Sequence, residues 1–232
     1  MTDAADLEGS DLDALVRRVD PDRWLSSRFI ADAAARVDVV AVYAFDHELA
    51  RAPKVASSAL LGEIRLTWWR EALDEIFEDR PVRRHPTAQA LAEVVRRRGL
   101  SRTPLETMID GRYRELEPAP LAGEEALQWA GDTAGSAAVA AAWILDPHGS
   151  ADAARPAGAA WALGRRLASG DLGTEGPGML RDALAAARAH ARRLGVAAFP
   201  AVAHAALASG RPGGSELGKR LKLTWAVARG RI

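Results

Sequence analysis

Asp46, His47, Glu48 and Arg51 stand together at the end of an otherwise apolar stretch, VVAVYAFDHELAR (39–51). Apolar residues on nearly every side of this stretch predict a helix in the middle of a bundle. Polar groups at the end of such a helix line a site or make a specific internal contact. Two carboxylates on one helix can share a divalent cation when they lie three or four residues apart. Asp46 and Glu48 are two apart, about 160° around a regular helix, and Ala50 and Arg51 follow where a further acid would be needed. The other candidate pair is Asp171 and Glu175 in SGDLGTEGPG. Its spacing is right for a helix, but its glycines and Pro177 predict a loop, where four-residue spacing does not align side chains. Asp46, Glu48, Asp171 and Glu175 are therefore the candidate metal ligands, and neither pair is well placed to hold one ion.

A second group of candidates follows on the segment 57–78. Steps of 100° per residue put Leu61, Ile64, Trp68, Trp69, Ala72, Leu73 and Ile76 on one broad apolar face, with Arg65 in its middle. A guanidinium in that position needs an internal carboxylate or an anionic ligand. Glu48 is the expected partner, with Arg51 one turn further on. Arg70 and Asp74 fall on the opposite side as an i,i+4 pair. Tyr43, Asp46, Glu48, Arg51, Arg65, Trp69 and Arg70 form the candidate ligand-binding set, with Trp68 and Trp69 read first as packing anchors.

These residues require a scaffold of helices. Helical periodicity is expected over 11–19, 23–33, 36–50, 57–78, 88–97, 103–115, 124–145, 151–168, 178–194, 201–208 and 215–228. Prolines and glycines fall between these segments. The fold class is all-α, and 232 residues at 48% hydrophobic composition predict a single domain, 1–232. Residues 1–10 are expected to be disordered, and 211–232 to form a basic C-terminal helix. The segment 124–145 is rich in Ala and Gly, which either bring helix axes close or leave room for a long apolar ligand.

Composition excludes several functions. Lys plus Arg and Asp plus Glu are both 31, so no basic excess points to nucleic acid, and none is expected as a partner. With no cysteine there is no disulfide, thiolate metal site or cysteine nucleophile. The five histidines are scattered without HExxH spacing, and no GxSxG, Walker A or GxGxxG arrangement occurs. The N-terminus lacks the pattern of a secretory signal and no apolar run is long enough to span a bilayer. A cytoplasmic protein is expected. Basic residues gather at the end of the chain, where a helix would either present a solvated face or rest peripherally on the inner membrane.

The blocks YAFDHELAR (43–51), LGEIRLTWWREALDEI (61–76) and VRRHP (82–86) resemble the squalene/phytoene synthase family. DPDRWLSSRF (20–29), MIDGRYREL (108–116), WAGDTAGS (129–136) and GAAWALGRRL (158–167) extend the resemblance in consistent order over about residues 20–167. The resemblance implies an isoprenoid-synthase-like bundle around a central apolar cavity. In that family two aspartate-rich motifs bind magnesium and prenyl diphosphates for head-to-head coupling. The form YAFxxELAR with LGEIRLxWWREAL is more similar to a divergent branch that includes the mitochondrial complex I assembly factors. In that branch the metal-binding acids are degraded.

The resemblance therefore implies a pseudoenzyme that binds a prenyl lipid or prenyl diphosphate, or serves as a scaffold for a protein partner in respiratory complex assembly. No cofactor is expected on that reading. The alternative is an active head-to-head prenyltransferase of squalene or phytoene synthase type, which would require Mg2+.

Overall fold

Among the described residues the chain forms eleven α-helices with short 3-10 connections and no strand. This computed structural model describes residues 4–54, 56, 58–209 and 215–232, with side chains described from residue 12 onward. The helices are α1 (Ala4–Val19), α2 (Pro21–Ser27), α3 (Ala33–Lys54), α4 (Ala59–Phe77), α5 (Pro86–Arg98) and α6 (Arg102–Tyr113), followed by α7 (Gly123–Ala130), α8 (Ser136–Leu145), α9 (Arg155–Ala168), α10 (Gly176–Ala191) and α11 (Glu216–Arg229).

α3 is the axis of the bundle, packed by α1, α4, α5, α6 and α8. Every residue from Asp38 to Asp46 is buried, as expected for a helix without a polar face. Tyr43, Phe45 and Trp69 are buried, and Trp68 is partly covered.

Helix boundaries follow local capping chemistry. The predicted helix 23–33 is replaced by a short α2 that begins at Pro21, where the Asp20 side chain accepts a hydrogen bond from the Arg23 amide. Asp32 then accepts from the amides of Ala34 and Ala35 and starts α3 three residues earlier than predicted. α3 also runs past the predicted stop, through Pro53 to Lys54. α1 begins at Ala4 rather than at residue 11. The predicted helix 201–208 is a pair of 3-10 turns, Phe199–Ala201 and Ala203–Leu207. Part of the predicted basic C-terminal segment, 211–214, lies outside the described residues.

The small-residue segment 124–145 is helical throughout but widens to a π turn over Gly131–Gly135 between α7 and α8. Such insertions commonly sit at functional sites. Small residues here serve close approach: a Cβ on Gly158 of α9 would lie 2.2 Å from the Ala134 carbonyl oxygen. On the other side of α9, a Cβ on Gly164 would lie 2.3 Å from the Ala208 carbonyl oxygen. α9 is thereby clamped between the π turn and the Ala203–Leu207 region, with Trp161 held at its centre.

The buried side of α4 differs from the predicted one. Gly62, Leu66, Trp69, Ala72 and Leu73 face inward, whereas Leu61 and Ile64 are exposed and Arg65 is in solvent. Gly62 decides the rotation, because Leu116 packs so closely over it that a Cβ would come within 2.3 Å of the leucine Cδ2. A face chosen by the largest apolar side chains misses a contact made by a glycine.

Candidate functional site

Asp46 is the point on which the interior is organised. It is buried near the C-terminal end of α3, and each carboxylate oxygen is held by a different arginine. Arg23 Nη2 of α2 donates to Oδ2 at 2.7 Å and Arg112 Nη2 of α6 donates to Oδ1 at 2.6 Å. Arg23 also pairs with Asp20 through its Nε, and Arg112 Nη1 donates to Glu115 at 2.6 Å. Glu115 in turn accepts from Trp129 Nε1 at 2.9 Å.

Burial alone would raise the Asp46 carboxyl, but the charges of Arg112 and Arg23 and their hydrogen bonds outweigh it and hold it at about 2. Burial likewise works against the charge on Arg23, yet Asp20 and Asp46 keep its guanidinium protonated more firmly than usual. The Arg23 guanidinium is sandwiched by aromatic faces, 4.9 Å from the Tyr43 ring and 4.5 Å from the Trp161 ring. The result is a buried chain of alternating charge, Asp20–Arg23–Asp46–Arg112–Glu115.

A cavity of about 350 Å³ opens beside this chain. Its walls come from α3 (Asp46, His47, Ala50, Lys54), the π turn (Thr133, Ala134), Trp129 and α9 (Trp161, Ala162, Arg165, Arg166). Arg165 stacks on Trp161 at 5.1 Å and Arg166 on Trp129 at 5.0 Å. Among the described residues neither arginine, nor Lys54, forms an ion pair. Four buried donors of the cavity wall also make no hydrogen bond: Arg23 Nη1, Arg112 Nε, Arg166 Nε and Trp161 Nε1. Unpartnered buried donors are costly in an apolar surrounding. All four are N–H groups on residues that line one cavity, covered by their neighbours, so the positive charge open to an anion comes from Arg165, Arg166 and Lys54.

The same residues do not fit a magnesium ion. Both Asp46 oxygens are committed to guanidinium groups, and Glu48 pairs instead with Arg51 Nη1, 3.1 Å from each of its oxygens. One and two turns beyond Asp46, the cavity is lined by Ala50 and Lys54 where further acids would be needed. Asp171 does reach the cavity, on a turn where Gly170 and Gly173 adopt left-handed φ of 82° and 58°, conformations that favour glycine. Glu175, four residues on, is exposed at the start of α10. Among the described residues, no three acidic or histidine side chains gather in the way a metal centre needs.

The ligand-binding candidates divide accordingly. Asp46 is in the cavity and Tyr43 lies directly behind Arg23. Trp69 packs away from the cavity with Phe45, Trp68 and His85 at ring separations of 5.4, 4.9 and 5.0 Å. Arg65 is not paired with Glu48, because the rotation of α4 turns it outward. Arg51 is largely exposed. Arg70 bonds Asp110 of α6 at 2.5 Å instead of Asp74, which Arg102 takes.

Sequence reasoning missed Arg23, Arg112, Trp129, Trp161, Arg165 and Arg166. A signal for them was present: DPDRW, DGRY, WAGDT and WALGRR are the blocks shared with the family, and each contributes to this one cavity.

Comparisons with known proteins give the family and the fold. The family model described as Squalene/phytoene synthase matches residues 16–169, roughly two thirds of the chain, and the chain belongs to that family. Its fold is that of a dehydrosqualene synthase crystallised with a ligand, with a TM-score of 0.75 at 13% identity over 97% of this chain and 96% of that one. A squalene synthase, HpnC from Alicyclobacillus acidocaldarius, superposes with a TM-score of 0.67 at 14% identity over 97% and 95% of the two chains.

Among curated relatives, the bovine NADH dehydrogenase (ubiquinone) complex I, assembly factor 6 is 32% identical over 103 residues, 44% of this chain and 30% of that protein. Its human counterpart is 30% identical over the same length and share. The Dictyostelium discoideum homolog is 25% identical over 130 residues, 54% of this chain and 36% of its own length. The chain thus spans about a third of the curated relatives it matches. It is a squalene/phytoene synthase-like protein with degraded metal-binding motifs, similar in sequence to the assembly-factor branch.

Proposed function

We propose that the chain is a non-catalytic member of the family that binds the anionic end of a prenyl diphosphate, or of a related prenyl lipid, without a divalent cation, and acts in respiratory complex assembly. The observation that carries this reading is the double guanidinium clamp on Asp46, at 2.7 and 2.6 Å. In a metal-dependent synthase, acids must be free to hold the ions that neutralise a leaving diphosphate. In this chain the acid of the first motif is neutralised by protein. Arg165, Arg166 and Lys54 supply positive charge directly to the cavity. Trp129, Trp161, Ala134 and Ala162 supply apolar wall. The volume suits a diphosphate and the first part of its chain.

The assembly role rests on the names of the relatives, which share one segment with this chain, so the partner is a proposal drawn from likeness. No helix among the described residues is long and apolar enough to cross a membrane. A cytoplasmic location, peripheral on the inner membrane, is proposed with this role.

Equilibrium binding of labelled farnesyl diphosphate in excess EDTA tests the ligand reading. Binding is expected with and without magnesium, displaced by inorganic pyrophosphate. The double substitution Arg165→Glu, Arg166→Glu, on side chains that line the cavity, is expected to weaken it about tenfold or more without loss of the folded helical signal. Binding that appears only with magnesium, or that ignores the charge reversal, would contradict the reading.

A further inference from the structure

We infer that α11 is a preformed docking element for an anionic lipid bilayer surface. α11 is held on the body by one side only: Leu223 and Ala226 are buried against α2 and the Ala203–Leu207 turn, and Lys219 pairs with Asp22 of α2 at 2.8 Å. Its outer side carries Leu217, Leu221 and Trp225 at successive turns, 68%, 64% and 60% exposed. Projected at 100° per residue, the three span an arc of about 80°. Arg220 borders that arc on one side, and Lys222 and Arg229 border it on the other.

Charge complementarity selects the occupant. Arg220, Lys222 and Arg229 are exposed, and none forms an ion pair among the described residues. Arg229 lies over the Trp225 ring, 3.8 Å from its centroid, so a guanidinium caps the aromatic end of the apolar stripe. An apolar stripe with cations along both margins and an aromatic residue is the pattern of a helix lying in a membrane interface, where lipid phosphates meet the cations and the stripe enters the acyl boundary. At 14 residues, with charges throughout, α11 is built to lie on a bilayer and not to cross it. The other exposed apolar group, Leu60, Leu61 and Ile64 on α4, is bordered by Arg65 on one side and by the acid Glu63 on the other, so it lacks cations along both margins.

Because α11 is already folded against the body, docking needs no coupled folding. α2, which anchors it through Asp22, also supplies Arg23 to the cavity. The inference stands apart from the ligand reading, since it uses none of the cavity residues.

Vesicle co-sedimentation of the full chain decides it. The protein is expected to pellet with vesicles of phosphatidylglycerol and phosphatidylcholine, to remain largely in the supernatant with phosphatidylcholine alone, and to dissociate as salt is raised. Two variants should each release it from the anionic vesicles with unchanged helical content and melting temperature, because every altered side chain is exposed. One carries Leu217→Ser, Leu221→Ser and Trp225→Ser, and the other Arg220→Glu, Lys222→Glu and Arg229→Glu. Wild-type protein that stays in the supernatant with anionic vesicles overturns the inference, as does equal pelleting of either variant. A wild-type dimer that the serine variant converts to monomer would assign the stripe to a second copy of the chain and overturn it too.

Discussion

Replacing Asp46 with alanine is expected to destabilise the fold by about 3–5 kcal/mol, the usual result of removing one partner from a buried ion network. For a chain of this size that is a fall in melting temperature of roughly 6–20 °C. Arg23 and Arg112 are each nearly inaccessible to water, and the substitution leaves both facing a lost anion. Their remaining acids, Asp20 and Glu115, lie at the two ends of the chain of charges and do not replace the bridge between α2 and α6. Thermal unfolding followed by circular dichroism measures the effect. A carboxylate kept for binding metal behaves in the opposite way: in the apo protein its neutralisation relieves repulsion, and stability stays level or rises. An Asp46→Ala protein as stable as the wild type would remove the structural role assigned to this residue.

Stability should also fall steeply with acid, beginning in the range where histidine titrates. His204 is fully buried, edge-on to Trp161 and Tyr43 at 5.4 and 6.4 Å, and neither ring nitrogen has a hydrogen-bond partner. Burial, reinforced by the charge of Arg23 and opposed by Asp22, lowers it from 6.5 to about 3. Below about pH 6.5 the unfolded chain binds a proton that the folded chain refuses. This contribution is therefore complete above about 6.5 and declines by about 1.4 kcal/mol per pH unit until the folded group itself titrates near 3. Asp46, depressed from 3.8 to about 2, adds a second loss at lower pH, present above its unfolded value and gone as pH falls through 2. Denaturant titrations across pH should show the first limb in the wild type and a clearly shallower one in His204→Phe, where the half-buried His47 and His85, also lowered chiefly by burial, still contribute. A wild-type stability that is flat between about pH 6.5 and 4.5 would contradict the assignment of a neutral buried imidazole.

The fold was legible where one segment sufficed. The all-apolar run from Val39 to Phe45 could only be a central helix, and Asp46 and Glu48 could be excluded as a shared metal site from their spacing alone. The cavity was less legible, because its geometry depends on pairs far apart in sequence. Asp46 is 23 residues from Arg23 and 66 from Arg112, and no periodicity within α3 announces either partner. Arg65 went astray for a related reason: one contact between Gly62 and Leu116 sets the rotation of α4 and turns the guanidinium to solvent. The arginines of α9 were readable only as part of a shared block, since WALGRR by itself looks like the basic last turn of an ordinary helix.

The central claim is that this cavity meets an anion with protein cations and, among the described residues, gathers no cluster of acids to clamp metal, Asp171 standing there alone outside the ion-paired acids. Its most direct test is release of pyrophosphate from labelled farnesyl or geranylgeranyl diphosphate by the purified chain in the presence of magnesium. The expected result is binding without turnover: no pyrophosphate and no coupled hydrocarbon above the uncatalysed background. Magnesium-dependent release of pyrophosphate with formation of a coupled product, abolished by Asp171→Asn, would show that the acids at this cavity still hold metal and would contradict the account.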